Sequence, residues 1–387
     1  MKKVSLALLL LAAALLFSGC RQGRDNYRDI ERLELIQTLG IDGDGETVTV
    51  SAATGKRGDS AVIVLKNSAR TIAGALDGMQ TFTEKDIYFS HVAVCLLGQK
   101  AAETDLYYLL DFIEREVSVR YGTYIYIVRN GTAEDAVTLD TGENTCVTDL
   151  LAALEKSMRL LGDAHTYTLG ETAQAMLEND CALVAALEVS GTGVEEGANE
   201  LGFSPAGYAL IKGGRLAAFS DREQAHGIML LTGYLQSDTV EVSDGRGGAA
   251  SLQVTGSRVS FVPHYEDGRL GRAEVKVKLR ASIDELHSEL DVYSPEDISR
   301  LAESLQEVEA ERVEGAMALC RSAGADFIGM GKKLEMRDPV RFSAVKENWN
   351  ETFSSLPLEF SYDIAIERTY NITSPLESGA GETHERG

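Results

Sequence analysis

The spacing of apolar and polar residues changes period repeatedly along the chain. ERLELIQTLGI is an apolar segment, a Gly/Asp turn follows, and residues 47–53 (TVTVSAA) alternate as a strand does. Residues 69–82 then place Ile72, Ala75, Leu76, Met79 and Phe82 at helical spacing. DIYFSHVAVCLLG (86–98) is aromatic and branched and ends at Gly98, so it reads as one central strand. On that strand His91 shares a face with Ile87, Phe89, Ala93 and Cys95. Helical period returns over 106–116 and strand period over 119–131; 133–178 is mainly helical, and 182–190 is a short apolar strand. Alternation of this kind predicts an α/β layer with helices packed on a sheet.

The pattern breaks at 191–206, a stretch rich in glycine and poor in large apolar residues. A linker or long loop is expected there, between an N-terminal α/β region at 29–190 and a C-terminal α/β domain at 207–370. In the second half Gly213-Gly214 joins two short apolar runs as a hairpin would, and REQAHGIMLLTGYL reads as a helix. Two long alternating strands meet at Glu266-Asp267-Gly268. Ser294-Pro295-Glu296 opens a helix with proline at its first position, predicted over 295–322 and ended by Gly324. GADFIGMG, a helical KENWNETFSSLP and a final strand LEFSYDIAIERTY follow, and residues 371–387 carry too little apolar content to fold, so a disordered tail is predicted. The expected class is α/β of the α+β type, with mixed sheets and packed helices. The length of 387 residues suits two or three domains.

The first residues change the picture. Lys2 and Lys3 precede an apolar run at 4–17 that closes on Ser18-Gly19, the layout of a secretory signal peptide at 1–19. That run is shorter than the roughly 20 residues a membrane-spanning helix needs. Cys20, directly after the small pair, marks a bacterial lipoprotein and is the predicted lipidation site, although Phe17 stands where leucine is usual. An ordinary cleaved signal with an incidental cysteine is the alternative. Two or more acyl chains suffice for stable attachment. Residues 20–28 would be the tether, and the body would sit on the outer face of a membrane.

The formal charge is −23, and residues 1–19 hold two lysines and no acids, so the chain from Cys20 onward is near −25. That balance argues against nucleic acid as a partner and against electrostatic adhesion to an anionic leaflet.

Candidate chemistry is sparse. There is no CxxC pair, no histidine at metal-ligand spacing, no Walker-type loop, no GxSxG and no HExxH. No catalytic residue, cofactor or metal is therefore predicted. Cys95, inside VAVCLL, reads as a small buried hydrophobe, and a Cys146–Cys181 disulfide is left open because nothing in the sequence fixes their proximity. Glu114 with Glu116, and Glu347 with Glu351, are formally paired carboxylates; in so acidic a chain solvated charge is the default. The glycines of GADFIGMG follow a helix and read as its stop, not as a phosphate cradle. His91 reads as a hydrogen-bonded core or edge histidine, with a ligand or proton-switching role as the alternative. Trp349 and Phe353, four apart, read as helix packing.

Taken in order, SGC, YRDIERLELIQTLGIDGD, ARTIAGALDGM, IYFSHVAVCLLGQ, LLDFIEREVSVRYGTYIYIVRNGTAEDAV, GYALIKGGRLAAFSDREQAHGIMLLTG, ADFIGMG and WNETF resemble the Ger(x)C family, the lipoprotein C subunit of spore germinant receptors. The resemblance spans about residues 15–370 and rests on order and spacing more than on any single motif. It departs from the family at Gly122, at Val94-Cys95-Leu96 and in the GTGVEEGANEL loop, places that touch packing and loop length. The resemblance implies a non-enzymatic subunit of three α/β domains, lipid-anchored on the outer surface of the spore inner membrane. It implies two integral membrane partner subunits, one transporter-like, and an indirect role with small nutrient germinants. It carries over Cys20 alone as a functional residue. An independent extracytoplasmic solute-binding lipoprotein, with its ligand in a cleft between domains, is the alternative.

Overall fold

The structure is a computed structural model that describes residues 30–56, 58, 60–115, 119–141, 145–190, 202–287 and 290–367. The expected signal peptide, Cys20, the tether and the expected tail lie outside the described residues.

Strands β1 (Leu33–Gly43), β2 (Val48–Thr54) and β3 (Val64–Ala69) form an antiparallel meander, followed by helix α1 (Ile72–Met79). Then come β4 (Asp86–Tyr88), β5 (Val94–Gly98), α2 (Gln99–Thr104), α3 (Leu106–Arg115) and β6 (Tyr124–Val128). Helices α4 (Ala133–Val137), α5 (Val147–Leu160) and α6 (Leu169–Asn179) lead to β7 (Cys181–Val189), β8 (Phe203–Lys212) and β9 (Arg215–Phe219). Among the described residues these strands make one mixed sheet in the order β3-β2-β1-β5-β6-β7-β8-β9, with β4 beside the start of β1. The middle strands β1, β5, β6 and β7 run parallel. Helices cover both faces of a parallel core, so its strands bury both sets of side chains. In β5 all five residues are buried; Cys95 and Leu97 enter one apolar cluster, Val94 and Leu96 the other.

The second half holds α7 (Arg222–Thr232), β10 (Asp238–Ser243), β11 (Ala249–Glu266), β12 (Arg269–His287) and α8 (Pro295–Ala323). It closes with α9 (Met330–Arg337), α10 (Pro339–Phe342), α11 (Trp349–Ser355) and β13 (Leu358–Glu367). The sheet order is β10-β11-β12-β13, antiparallel except that β13 lies parallel to β12. The Ser294 hydroxyl accepts from the Asp297 N–H, Pro295 occupies the first helical position, and Gly324 ends α8 at φ +73°. Both glycine-marked hairpins form as expected, with positive φ at Gly213 and Gly214 and at Asp267 and Gly268. A single apolar cluster runs from β5 and β6 through α5 and α7 into the second sheet and α8, so the two sheets share one core.

One expectation is corrected. Residues 86–98 are not one strand. Leu33 pairs with Asp86, an offset of 53, whereas Thr38 pairs with Val94, an offset of 56, so three residues must be looped out between β4 and β5. His91 lies in that turn, exposed, with its ring 5.9 Å from that of Tyr88. At the expected division, 191–206, the chain stays in one sheet. Residues 191–201 lie outside the described residues, but the strands on either side pair antiparallel from Cys181↔Lys212 to Val189↔Phe203. Strands β8 and β9 therefore belong to the first sheet, and the chain leaves that sheet only after Phe219.

Candidate functional site

Two buried polar centres stand out, one where the second half meets the first sheet and one inside the second half. The first follows from the end of α8. Gly324 turns the chain in the left-handed region, and Gly329 does so again at φ +66°, which folds Ala325–Ile328 into a tight corner. Asp326, 5% exposed, sits inside it. One carboxylate oxygen accepts from the Met330 N–H at 3.0 Å; the other accepts from the Gly331 N–H at 2.6 Å and the Trp349 indole N–H at 2.7 Å. The Asp326 N–H in turn donates to Asn350 Oδ1 at 3.0 Å. One side chain thus satisfies the first turn of α9 and fixes α11 against it. Burial pushes the Asp326 carboxyl up, and the N–H groups of Gly331, Trp349 and Met330 pull it partly back.

This corner faces the first sheet across a groove of about 820 Å3 lined by Tyr107, Asp180, Lys212, Trp349 and Asn350 among others. Three bonds cross it. Asn350 Nδ2 donates to the Asn179 carbonyl at 3.0 Å, Lys212 Nζ to the Gly324 carbonyl at 2.7 Å, and the Cys181 thiol to the Asp326 carbonyl at 3.6 Å. On its first-sheet wall Tyr107 donates to Asp180 at 2.7 Å, and beside it Lys332 pairs with Glu178 at 3.1 Å, a further link between the halves. These bonds clamp the halves together, while Glu347 and Glu351 stay exposed on the rim.

The second centre arises because the inner stripe of α8, Leu301, Leu305, Val313, Met317 and Cys320, includes Glu309 with its side chain fully buried. His226 of α7 answers it: Nε2 lies 3.0 Å from Glu309 Oε2, and Nδ1 lies 3.1 Å from Asp238 Oδ2 of β10. Arg312, one turn along α8, reaches Glu309 at 3.1 Å, Asp238 at 3.5 Å and Glu223 at the surface. Burial pulls the imidazole down, but the bonds to Asp238 and Glu309 outweigh it, and the net shift is upward. The helices approach closely at this point because Gly227 has no side chain; a Cβ there would collide with the Arg312 backbone.

The residues singled out from the sequence do not converge. Cys20 and Glu116 lie outside the described residues, as does the side chain of Glu114. Glu347 and Glu351 are exposed on the groove rim, which fits solvated charge. Trp349 packs against Phe342 at 5.0 Å and Phe353 at 6.3 Å between ring centroids. Cys146 and Cys181 are free buried thiols, so the disulfide left open by the sequence is not formed. Among the described residues no cluster of His, Cys, Asp and Glu is arranged to hold a metal, and no helix is long and apolar enough to cross a membrane. Asp326 and the His226–Glu309 pair were not picked out. Glu309 did carry a signal, since it falls in the apolar stripe of an otherwise legible helix.

Comparison with known proteins identifies the chain. Residues 26–189 match the model described as "Spore germination protein N-terminal domain", and residues 206–370 match "Spore germination B3/ GerAC like, C-terminal". The chain is similar in fold to a solved structure titled "Crystal Structure of the GerBC protein", with a TM-score of 0.56 at 16% identity, covering 85% of this chain and 96% of that one. No curated protein sequence matches it. The gap between the two matched regions is the 191–201 segment and its flanks, and together they take in both sheets and both buried centres; the chain belongs to the Ger(x)C family of spore germination proteins.

Proposed function

We propose that this chain is the lipid-anchored, non-enzymatic C subunit of a spore nutrient germinant receptor, tethered through Cys20 to the outer face of the spore inner membrane. It acts by contact with two integral membrane subunits, one of them transporter-like. The observation that carries this reading is a juxtaposition: the region matching the family begins at residue 26, six residues beyond Cys20, which itself directly follows a signal-like segment. The folded body then lies wholly beyond a short tether, and tethering raises its effective concentration beside membrane partners. The polar groups of the two buried centres are bonded to one another inside the body, which fits a protein working through its surface. The groove between the halves is crossed by internal bonds, which weighs against the alternative of a solute-binding lipoprotein with a ligand in that cleft.

The test is fractionation of spores carrying Cys20→Ala. The variant is expected to leave the membrane fraction and to abolish response to one class of nutrients, while germination routes that bypass receptors persist. Membrane retention of Cys20→Ala in a strain lacking the partner subunits would defeat the anchor. Intact nutrient germination in a deletion strain, with impaired uptake of that nutrient, would replace the receptor reading by the solute-binding one.

A further inference from the structure

Four strands end the two sheet orders, β3 and β9 in the first and β10 and β13 in the second. Three of them are short: β3 and β10 have six residues each and β9 has five. The fourth, β13, has ten residues and pairs with β12 without a register shift from Ala273↔Leu358 to Ser282↔Glu367. No strand lies on its other side among the described residues. At 3.3 Å per residue it presents about 33 Å of open edge, along which every second residue turns its N–H and C=O away from β12. Sheet edges are commonly blunted by shortness, lysine, proline or a bulge. The sequence of β13, LEFSYDIAIE, contains neither lysine nor proline, and its ladder to β12 is regular.

The side chains define what such an edge would take. Leu358, Phe360, Tyr362, Ile364 and Ile366 pack on the shared core from the face that α8 covers, yet each stays only half-buried. Their partners one strand further in, Ala273, Val275, Val277, Leu279 and Ala281, are at most 1% exposed, because β12 has a neighbour on both sides. A strand laid along β13 would complete the same burial there. The opposite face carries Glu359, Asp363 and Glu367 and no cation. Arg272 and Lys278 of β12 reach Glu359 and Asp363 from the inner side, and a carboxylate keeps lone pairs for a further donor from the outer side. The fitting occupant is therefore apolar at every second residue and basic in between. A second copy of β13 would set acids opposite acids, which is destabilising. Residues 368–387 hold Tyr370, Ile372 and Leu376 as their only large apolar residues, with Pro375 among them, too few for a row of five.

We propose that β13 is a docking edge, joined through backbone bonds by an extended segment of another polypeptide. That segment sets its apolar side chains beside Phe360, Tyr362 and Ile364 and its lysines or arginines beside Glu359, Asp363 and Glu367. The inference deepens the receptor reading by naming a surface for a partner subunit, and it rests on that reading only where the assembled receptor is measured. Subunits that fail to copurify count against the receptor reading; subunits that copurify and leave residues 358–367 unprotected count against the edge.

The first measurement is fluorescence anisotropy of a labelled, end-blocked peptide, VKVTVKVTVK, titrated with the detergent-solubilised full-length chain. Saturable binding is expected, weaker by about tenfold or more for VEVTVEVTVE and for a VKVTVKVTVK that is N-methylated at alternate residues. Ile366→Lys, which puts a charge into the open apolar row, and Glu367→Lys, which reverses one on the acidic face, should each weaken it by about threefold or more. Circular dichroism checks that each variant folds; should one fail, the acidic and N-methylated peptides decide the matter on the unaltered protein. The second measurement is hydrogen exchange of the chain alone and of the chain in the purified receptor with its two membrane subunits. The amides of residues 358–367 that are not given to β12 should exchange at least about tenfold more slowly in the receptor. No binding of the lysine peptide at millimolar concentration overturns the proposal, as do an acidic peptide that binds as tightly, equal exchange in the two states, or a dimer of the isolated chain already protected over 358–367.

Discussion

His226 Nε2 lies 3.0 Å from Glu309 Oε2, a contact made across 83 residues of sequence between side chains 4% and 0% exposed. It joins α7 to α8 inside the core that unites the two sheets. Replacing His226 by Ala leaves Glu309 buried with Arg312 as its remaining charged neighbour. Breaking a buried pair from one side costs about 3–5 kcal/mol. His226→Ala should therefore lower the urea midpoint far more than a surface substitution such as Glu303→Ala, and equal midpoints would show the pair to be energetically idle.

The same pair sets a pH dependence. The folded imidazole is raised above its ordinary value of 6.5, so its contribution is fully present below pH about 6.5 and is lost as pH rises through the folded value. Denaturation followed from pH 6 upward should show stability falling across that window. In Glu309→Gln the fall should shrink, because one of the two bonds holding the imidazolium is gone. A slope unchanged by Glu309→Gln would assign the dependence to other groups.

Asp326→Ala removes the acceptor for two backbone N–H groups at the start of α9 and for the only tryptophan's indole N–H. Loss of a cap costs about 1 kcal/mol and each buried donor left without a partner about 1–3 kcal/mol. A destabilisation of about 2–4 kcal/mol is expected, with a red shift of Trp349 fluorescence as α11 loosens. Gly331→Ala should shift the fluorescence in the same direction, since a Cβ at that position collides with the indole nitrogen. Native-like emission in both variants would mean that the corner is held by apolar packing alone.

These residues also show what the sequence could reveal and what it could not. Helix α8 was legible because both ends are locally coded, by Ser294-Pro295 and by Gly324. The hairpins at Gly213-Gly214 and Asp267-Gly268 were legible because positive φ restricts the residues a turn can use. The break at 89–93 was not, because it is set by the offset between β1 and its two parallel partners, a long-range quantity absent from the local alternation. For the same reason β8 and β9 could not be assigned to the first sheet: the glycine-rich stretch marks a loop, but not the strand it returns to. Asp326 looked like an ordinary turn acid, since its partners Trp349 and Asn350 come from a helix more than 20 residues away.

The four described thiols give a direct check on the core. Cys95, Cys146, Cys181 and Cys320 are free and buried, and burial pushes the Cys95 and Cys181 thiols up to about 12. A protein beginning at residue 21 should therefore resist thiol reagents while folded at neutral pH and release four reactive thiols when unfolded without reductant. Release of only two would restore a Cys146–Cys181 bond.

The groove between the halves makes the last expectation. Lys212 and Asn350 hold it from opposite sides, through the Gly324 and Asn179 carbonyls, and their bonds share no partner. Side-chain bonds to backbone carbonyls contribute about 0.5–1.5 kcal/mol, and more when the donor is charged. Lys212→Met should thus cost more than Asn350→Ala, because it removes an ammonium from the carbonyl that ends α8. If the groove is a clamp, each loss lowers the stability of one cooperative transition, since the apolar cluster beneath still joins the two sheets. The double variant should then be close to additive, the two bonds acting independently. If the groove were instead a solute site, the same substitutions would leave the unliganded stability nearly unchanged and would appear only as lost protection by the solute. Urea unfolding of Lys212→Met, Asn350→Ala and the double variant, without any added small molecule, separates these outcomes.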